Sequence, residues 1–225
     1  AKAKELVFEA LATIDAASYT VSISNEAGTV ESESAGIIVH VPITTTQQPA
    51  EARVIEGGTA PSTVVAGGTE PIDYLWRFNS EVIDGATGAV LTIANASKAN
   101  EGSYQVVMKN PAGSVVSEEV KLTVVQPVVI LVQPEGATKL LGQALTLSVV
   151  ASGSEPLVYQ WSKDGEAIEG ADGKGLAFDS LAMSDAASYS VSISNEAGTV
   201  VSDPAAITVH VPITITQQPE QARVI

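Results

Sequence analysis

The chain has no cysteine among its 225 residues. That excludes disulfides, thiolate metal sites and a cysteine nucleophile, and it silences the usual inference from cysteine count to compartment. Basic residues are scarce: 11 Lys and Arg stand against 26 Asp and Glu, for a net charge of −15. Phosphates would be repelled, so nucleic acid is not an expected partner. The acidic excess reads as a solubility feature. Aromatic residues make up 4% of the chain although hydrophobic residues make up 45%. No apolar run reaches the ~18–20 residues of a membrane helix, so no membrane insertion is expected of this segment. The start carries no signal peptide. Residue 1 falls inside a repeat, so a targeting segment would lie upstream.

What the chain does have is a repeat. Asp15-Ala-Ala-Ser-Tyr19-Thr-Val21-Ser-Ile23-Ser-Asn25-Glu-Ala-Gly28 returns almost unchanged from Asp185 to Gly198. A looser copy runs from Asn100 to Gly113, so Tyr19, Tyr104 and Tyr189 lie 85 residues apart. Segments 14–55 and 184–225 agree at 32 of 42 positions, and both differ more from the middle copy. The duplication unit is therefore a two-domain block of 170 residues. Arrays of this kind serve reach, display or adhesion more often than chemistry.

Within each copy the hydrophobic period is two. Tyr189, Val191 and Ile193 alternate with Ser190, Ser192 and Ser194, and Tyr19/Val21/Ile23 and Tyr104/Val106/Met108 do the same. That pattern predicts strands with one buried face. Leu145, Leu147, Val149 and Ala151 form a second inward row. Leu176 and Phe178 match Leu91 and Ile93, and Leu6 and Phe8. Ile207 and Val209 match Leu122 and Val124, and Ile37 and Val39. Asn195-Glu-Ala-Gly198, Asn110-Pro-Ala-Gly113 and Lys163-Asp164-Gly165 read as hairpin turns. Gly68-Thr69-Glu70-Pro71 and Gly153-Ser154-Glu155-Pro156 break the chain before each Trp. No stretch keeps a helical period, so the expected fold class is all-β, with antiparallel sandwiches in tandem. The joints Val39-His40-Val41-Pro42, Val124-Val125-Gln126-Pro127 and Val209-His210-Val211-Pro212 are apolar and contain proline. They lack the Gly/Ser composition of a flexible linker, which predicts stiff joints and an elongated rod.

These rows together resemble the immunoglobulin superfamily, most closely its intermediate set, in the form of tandem arrays on bacterial surfaces. Trp76 and Trp161 stand where that family carries a core Trp, and Tyr104 and Tyr189 where it carries its tyrosine corner. Asp15 and Asp185, four residues before Tyr19 and Tyr189, fit its Asp-x-Gly/Ala-x-Tyr pattern. At the positions of the family disulfide this chain has valine: Val64 with Val106, and Val149 with Val191. Loss of a bridge closing about 42 residues forfeits on the order of 4 kcal/mol in the chain-entropy account. Each buried valine returns roughly 1.5–3 kcal/mol. A sandwich without the bridge is thus tenable. It suits bacterial relatives better than an animal receptor or antibody.

The resemblance divides the chain into four pieces. Residues 1–42 form the C-terminal part of one domain, 43–127 and 128–212 form two complete domains, and 213–225 form the first strand of a further one. The counterpart of 141–170, which carries the Trp strand, is missing between the last piece and the first. A window from a longer polypeptide explains this. Head-to-tail strand exchange or filament self-association with an identical chain is the alternative.

The sequence offers no catalytic, cofactor-binding or metal-binding residue. His40 and His210 precede Val-Pro at equivalent joints with no acid close in sequence, so they read as joint or solvated histidines. Asp164, Glu166, Asp172 and Asp179 are scattered around turns without the clustering calcium requires. Asn95-Ala96-Ser97 matches a glycosylation acceptor but occurs in one copy only. Gly67-Gly68-Thr69 and Gly170–Gly175 lack the following helix of a phosphate loop. There is no Gly-x-Ser-x-Gly elbow or His-Glu-x-x-His motif. The expectation is a non-catalytic structural segment of a large bacterial surface or extracellular protein, acting as spacer, filament or surface-layer component. The alternatives are an adhesin that binds a protein or glycan through loops or sheet edges, and a stalk for an enzyme. Identical loops at Asn25–Gly28 and Asn195–Gly198 favour the structural role over an adhesin, whose loops would diversify.

Overall fold

The computed structural model of the chain describes residues 4–219. Apart from three-residue 3-10 turns at Thr13–Asp15, Lys98–Asn100 and Met183–Asp185, its regular elements are strands. Two compact units emerge, Ala1–Thr123 and Val124–Ile225.

In the second unit one sheet is ordered Ala137–Leu140, Ala205–His210, Ala187–Asn195, Val158–Lys163, Glu166–Ala167. Gly198–Val201 continues the hairpin against Ala187–Asn195. Ala137–Leu140 runs parallel to Ala205–His210. Strand pairs Leu145–Ser148 with Gly175–Phe178, and Val129–Val132 with Val150–Ser152, supply the opposing layer. The alternating rows meet between the layers. Leu147, Val149, Tyr159, Trp161, Tyr189, Val191 and Ile193 are all buried. Trp161 is 0% exposed and pairs across the sheet with Val191. Its indole Nε1 donates to the Gly173 carbonyl at 2.9 Å, so the one polar atom of the ring is satisfied inside the core.

The first unit repeats this plan. Its main sheet is ordered Ala52–Ile55, Val120–Val125, Gly102–Asn110, Asp73–Phe78, Glu81–Val82. Trp76 is buried opposite Val106 and donates to the Gly88 carbonyl at 2.9 Å. Val64 and Val106, like Val149 and Val191, are buried, so aliphatic packing stands where a sulfur bridge is absent.

The two cores are not filled alike. Leu145, Leu147 and Phe178 of the second unit are Ala60, Ser62 and Ile93 in the first. Phe78 compensates in part by tilting onto Tyr104 at 4.9 Å, where the second unit has Phe178 edge-on to Tyr189 at 5.4 Å. A small cleft of about 10 Å³ remains beside Ala60, Ser62, Ile93 and Leu122, and the Ser62 hydroxyl is buried without a partner.

Residues 4–41 form only hairpin pieces. Ser18–Tyr19 pairs with Ala35–Gly36, and Ser22–Asn25 with Gly28–Glu31. Val21, Ile23 and Val30 are 52%, 68% and 73% exposed, whereas Val106, Met108, Val191 and Ile193 are each 0% exposed. The predicted inward face thus has nothing to face. The opening strand expected over 213–225 is not formed over its described part: Ile213–Pro219 carry no strand, and Ile213 is 99% exposed. The equivalent Thr44–Gln47 pairs with Val65–Gly67, a strand with no counterpart after residue 213. Residues 220–225 of that segment lie outside the described residues.

The buried indole sets a stability test. Trp161→Ala is expected to destabilise the second unit by roughly 3–5 kcal/mol through cavity formation. Denaturant unfolding followed by circular dichroism checks this, with Trp76 fluorescence as the control that reports the first unit. An unchanged transition would contradict the core assignment.

Candidate functional site

The arrangement that recurs most closely between the copies is a clasp on the backbone that enters each complete sandwich. In the first unit, Val41 N–H donates to Thr69 Oγ1 at 2.7 Å. The Val41 carbonyl accepts from Thr69 N–H at 3.1 Å and from Asn110 Nδ2 at 2.9 Å. Asn110 Nδ2 also donates to the Thr69 carbonyl at 3.1 Å, and its Oδ1 accepts from Ala112 N–H at 3.0 Å. In the second unit Gln126, Ser154 and Asn195 repeat every bond. Gln126 N–H donates to Ser154 Oγ at 2.8 Å, and its carbonyl accepts from Ser154 N–H at 3.0 Å and Asn195 Nδ2 at 2.8 Å. Asn195 Nδ2 reaches the Ser154 carbonyl at 3.0 Å, and Oδ1 accepts from Ala197 N–H at 2.9 Å.

Glycine makes the close approach geometrically accessible. Gly68 and Gly153 have φ of +148° and +151°, which side chains rarely adopt. A Cβ at Gly153 would stand 3.0 Å from the Pro127 carbonyl oxygen and 3.3 Å from Asn195 Nδ2. The Gly-(Thr/Ser)-Glu-Pro breaks before each Trp are therefore the jaws of the clasp. Each acid helps shape its loop: Glu70 accepts from Ile72 N–H at 3.0 Å and Glu155 from Leu157 N–H at 2.8 Å.

Two further bond sets recur. The hydroxyls of Tyr19, Tyr104 and Tyr189 donate to the carbonyls of Asp15, Asn100 and Asp185 at 2.9, 2.8 and 3.1 Å. This is the tyrosine corner. Asp15 and Asp185 hold its 3-10 turn by accepting from Ala12 N–H and Ala182 N–H, each at 2.8 Å. Ser32, Ser117 and Ser202 accept from Val21, Val106 and Val191 N–H at 3.0 Å and bridge the break between the last two strand segments. Gln48 and Gln133 Oε1 receive Glu118 N–H and Asp203 N–H, tying the first strand to the last. Sequence reasoning marks Asn110 and Asn195 as turn residues only and misses the serines and glutamines. The signal for all of them is their recurrence at 85 residues in polar positions flanking apolar strands.

The residues weighed for chemistry are not brought together. His40 and His210 are exposed. Asp164 accepts from Ser188 N–H at 2.9 Å, the bond that Asn79 makes to Ser103 N–H in the first unit, so its carboxylate fastens a turn. Asn95 is exposed at a φ of +51°. Among the described residues no group of three or more His, Asp or Glu converges as a metal site. Among them too, no helix is long and apolar enough to cross a membrane. Trp76, Trp161, Tyr104 and Tyr189 are buried and present no stacking surface.

Burial raises the hydroxyl pKa of Tyr104. Tyr189 is raised by burial first and then by the Asp185 and Asp164 carboxylates.

No protein-family model matches the chain. Among curated proteins it is 31% identical to human hemicentin-1 over 207 residues, which is 86% of this chain and 4% of that protein. It is 28% identical to the human peroxidasin homolog over 130 residues, 52% of this chain and 9% of that protein. It is 27% identical to the human cell adhesion molecule DSCAM over 163 residues, 67% of this chain and 8% of that protein. The chain thus spans less than a tenth of the length of each. Among solved structures, a three-immunoglobulin-domain fragment of titin, I67–I69, superposes with a TM-score of 0.76 at 23% identity, covering 89% of this chain and 76% of that one. That likeness shows the fold.

Two outcomes follow for measurement. Asn195→Ala removes the donor from two carbonyls and is expected to cost about 1–3 kcal/mol of second-unit stability, read by denaturant unfolding. The raised tyrosine pKa values favour the protonated, folded form below the unfolded value near 10, so stability falls as pH rises through and beyond it. Alkaline titration of absorbance should show Tyr104 and Tyr189 ionising above the ordinary tyrosine value, and the melting temperature should drop over the same range.

Proposed function

We propose that this tandem array of immunoglobulin-like domains is a non-catalytic structural segment of a large extracellular or cell-surface protein, serving as a spacer or filament component. The observation that carries the reading is the duplicated clasp. The same five-bond arrangement grips Val41 and Gln126, so each entering backbone is fixed to the sandwich that follows it. Load arriving through the backbone then meets hydrogen bonds from a loop and a turn before it reaches the strand ladders. On this reading residues 43–127 and 128–212 are two load-bearing modules, and no residue has a catalytic or metal-binding role. The buried valine pairs in place of a family disulfide support a bacterial source. Adhesion is the second reading; it is favoured by the similarity to a protein named as a cell adhesion molecule.

Single-molecule stretching of the chain tests the mechanical role. Two unfolding events are expected, each releasing a contour of roughly 280–310 Å less the folded span, since about 85 residues extend at ~3.3–3.6 Å each. Extension without discrete events would refute it.

A further inference from the structure

We propose that the outer face of the second unit's smaller layer, centred on Val129, Leu131, Val132 and Val150, is a contact surface for the same face of a second copy of this chain. In that layer Val129–Val132 pairs with Val150–Ser152, and Leu145–Ser148 with Gly175–Phe178. Ile130, Leu145, Leu147, Val149 and Leu176 pack inward against the core. An antiparallel layer with one buried side is expected to carry polar residues on the other. Thr146, Ser148 and Ser152 meet that expectation. Val129, Leu131, Val132 and Val150 do not, and they stand 54%, 61%, 52% and 49% exposed. The register shifts between Ile130 and Val132, which leaves Leu131 as the extra residue of a bulge.

The fold does not ask for these side chains. In the first unit the same positions are Thr44, Thr46, Gln47 and Val65, and the strands pair there with the same shift of register. Threonine has the branched shape that strands favour. At the bulge Thr46 also donates its hydroxyl to the Val65 carbonyl at 3.3 Å, a bond that Leu131 cannot make. One repeat further on, the sequence returns to Thr214, Thr216 and Gln217. The three apolar residues 129, 131 and 132 thus mark one module of the 170-residue block, and what they gain lies outside the sandwich.

Charge points to the occupant. The chain carries −15 overall, yet no charged residue occurs from Leu122 to Pro134, from Leu140 to Ser154 or from Gly175 to Phe178. A charged partner finds nothing to pair with on these strands. Two acidic copies repel wherever their acids face each other, and this face is where they meet without doing so. An apolar surface that meets itself about a two-fold axis buries the same residues on both sides. Four side chains are few against the ~20–30 residues a side of a stable interface, so single copies pair weakly. A polypeptide that repeats the block bears the face once per block, and weak contacts between two such arrays then add.

The inference deepens the filament reading by naming its partner and rests on it only for the gain from repetition; its failure would leave the single-molecule unfolding events as they are. Sedimentation equilibrium of the intact chain is expected to give a weight-average mass that rises with concentration above 23.1 kDa. Raising the salt from about 0.05 M to about 1 M should strengthen the association, because it screens the acidic copies from each other. Val129→Thr with Leu131→Thr and Val132→Gln writes the first unit's residues into the second. This triple variant should weaken the association about tenfold or more, as burial of three aliphatic side chains is lost, and leave unfolding by circular dichroism unchanged. Leu131→Asp, one change at the most exposed of the four, should also weaken it by setting like charges against each other. Should the triple variant unfold differently, Leu131→Asp decides alone. A mass of 23.1 kDa at every concentration overturns the proposal and leaves the face to a partner of another sequence. Association that weakens with salt overturns it in favour of ion pairs. Association that survives both variants overturns it in favour of another surface of the chain.

Discussion

The complete sandwiches depend on one contact: an indole lying between two β-layers with its single polar atom satisfied internally. Trp76 and Trp161 are 0% exposed, and each donates its Nε1 hydrogen to a glycine carbonyl twelve residues on. That bond ties the strand bearing the Trp to the loop that leads into the opposing layer. Burial of the ring supplies area, and the bond fixes how the two layers face each other. With the indole in place, valine suffices at positions where this fold often carries a disulfide.

Residues 4–41 show which parts of the module stand without that contact. Their tyrosine corner is intact, with the Tyr19 hydroxyl on the Asp15 carbonyl and Asp15 holding its turn. The serine bridge through Ser32 and the hairpin turn at Asn25 are intact too. What they lack is continuity of the long strand and burial of its face. Local hydrogen bonds close over a few residues and form wherever the sequence provides them. Burial needs the Trp-bearing strand, which precedes its partner in both other copies (Trp76 before Val106, Trp161 before Val191), and residues 4–17 do not contain it. The comparison separates, within one molecule, the bonds that shape an element from the packing that stabilises it.

Strand identity and the core rows were legible because period-two alternation, recurring three times, leaves one face to bury. The tyrosines could be placed for the same reason, and Trp76 and Trp161 through the resemblance to the immunoglobulin superfamily. The clasp was not legible. It joins a loop hydroxyl that accepts and an asparagine amide that both donates and accepts to backbone N–H and carbonyl groups, which leave no mark in the sequence. Gly68 and Gly153 signalled only a break, because a positive φ and a close approach look alike in the letters. The unequal cores were open to reading in Ala60, Ser62 and Ile93 against Leu145, Leu147 and Phe178. The 85-residue register draws the eye to agreement rather than to such differences.

The clasp recognises the entering segment through its peptide group alone. Val41 and Gln126 differ in size and polarity yet make the same three bonds. A module gripped in this way places almost no demand on the side chains of whatever precedes it. Blocks can therefore be copied, deleted or reordered in the gene without compensating substitutions at the seams. The 170-residue duplication written into this chain is the kind of event that such tolerance permits.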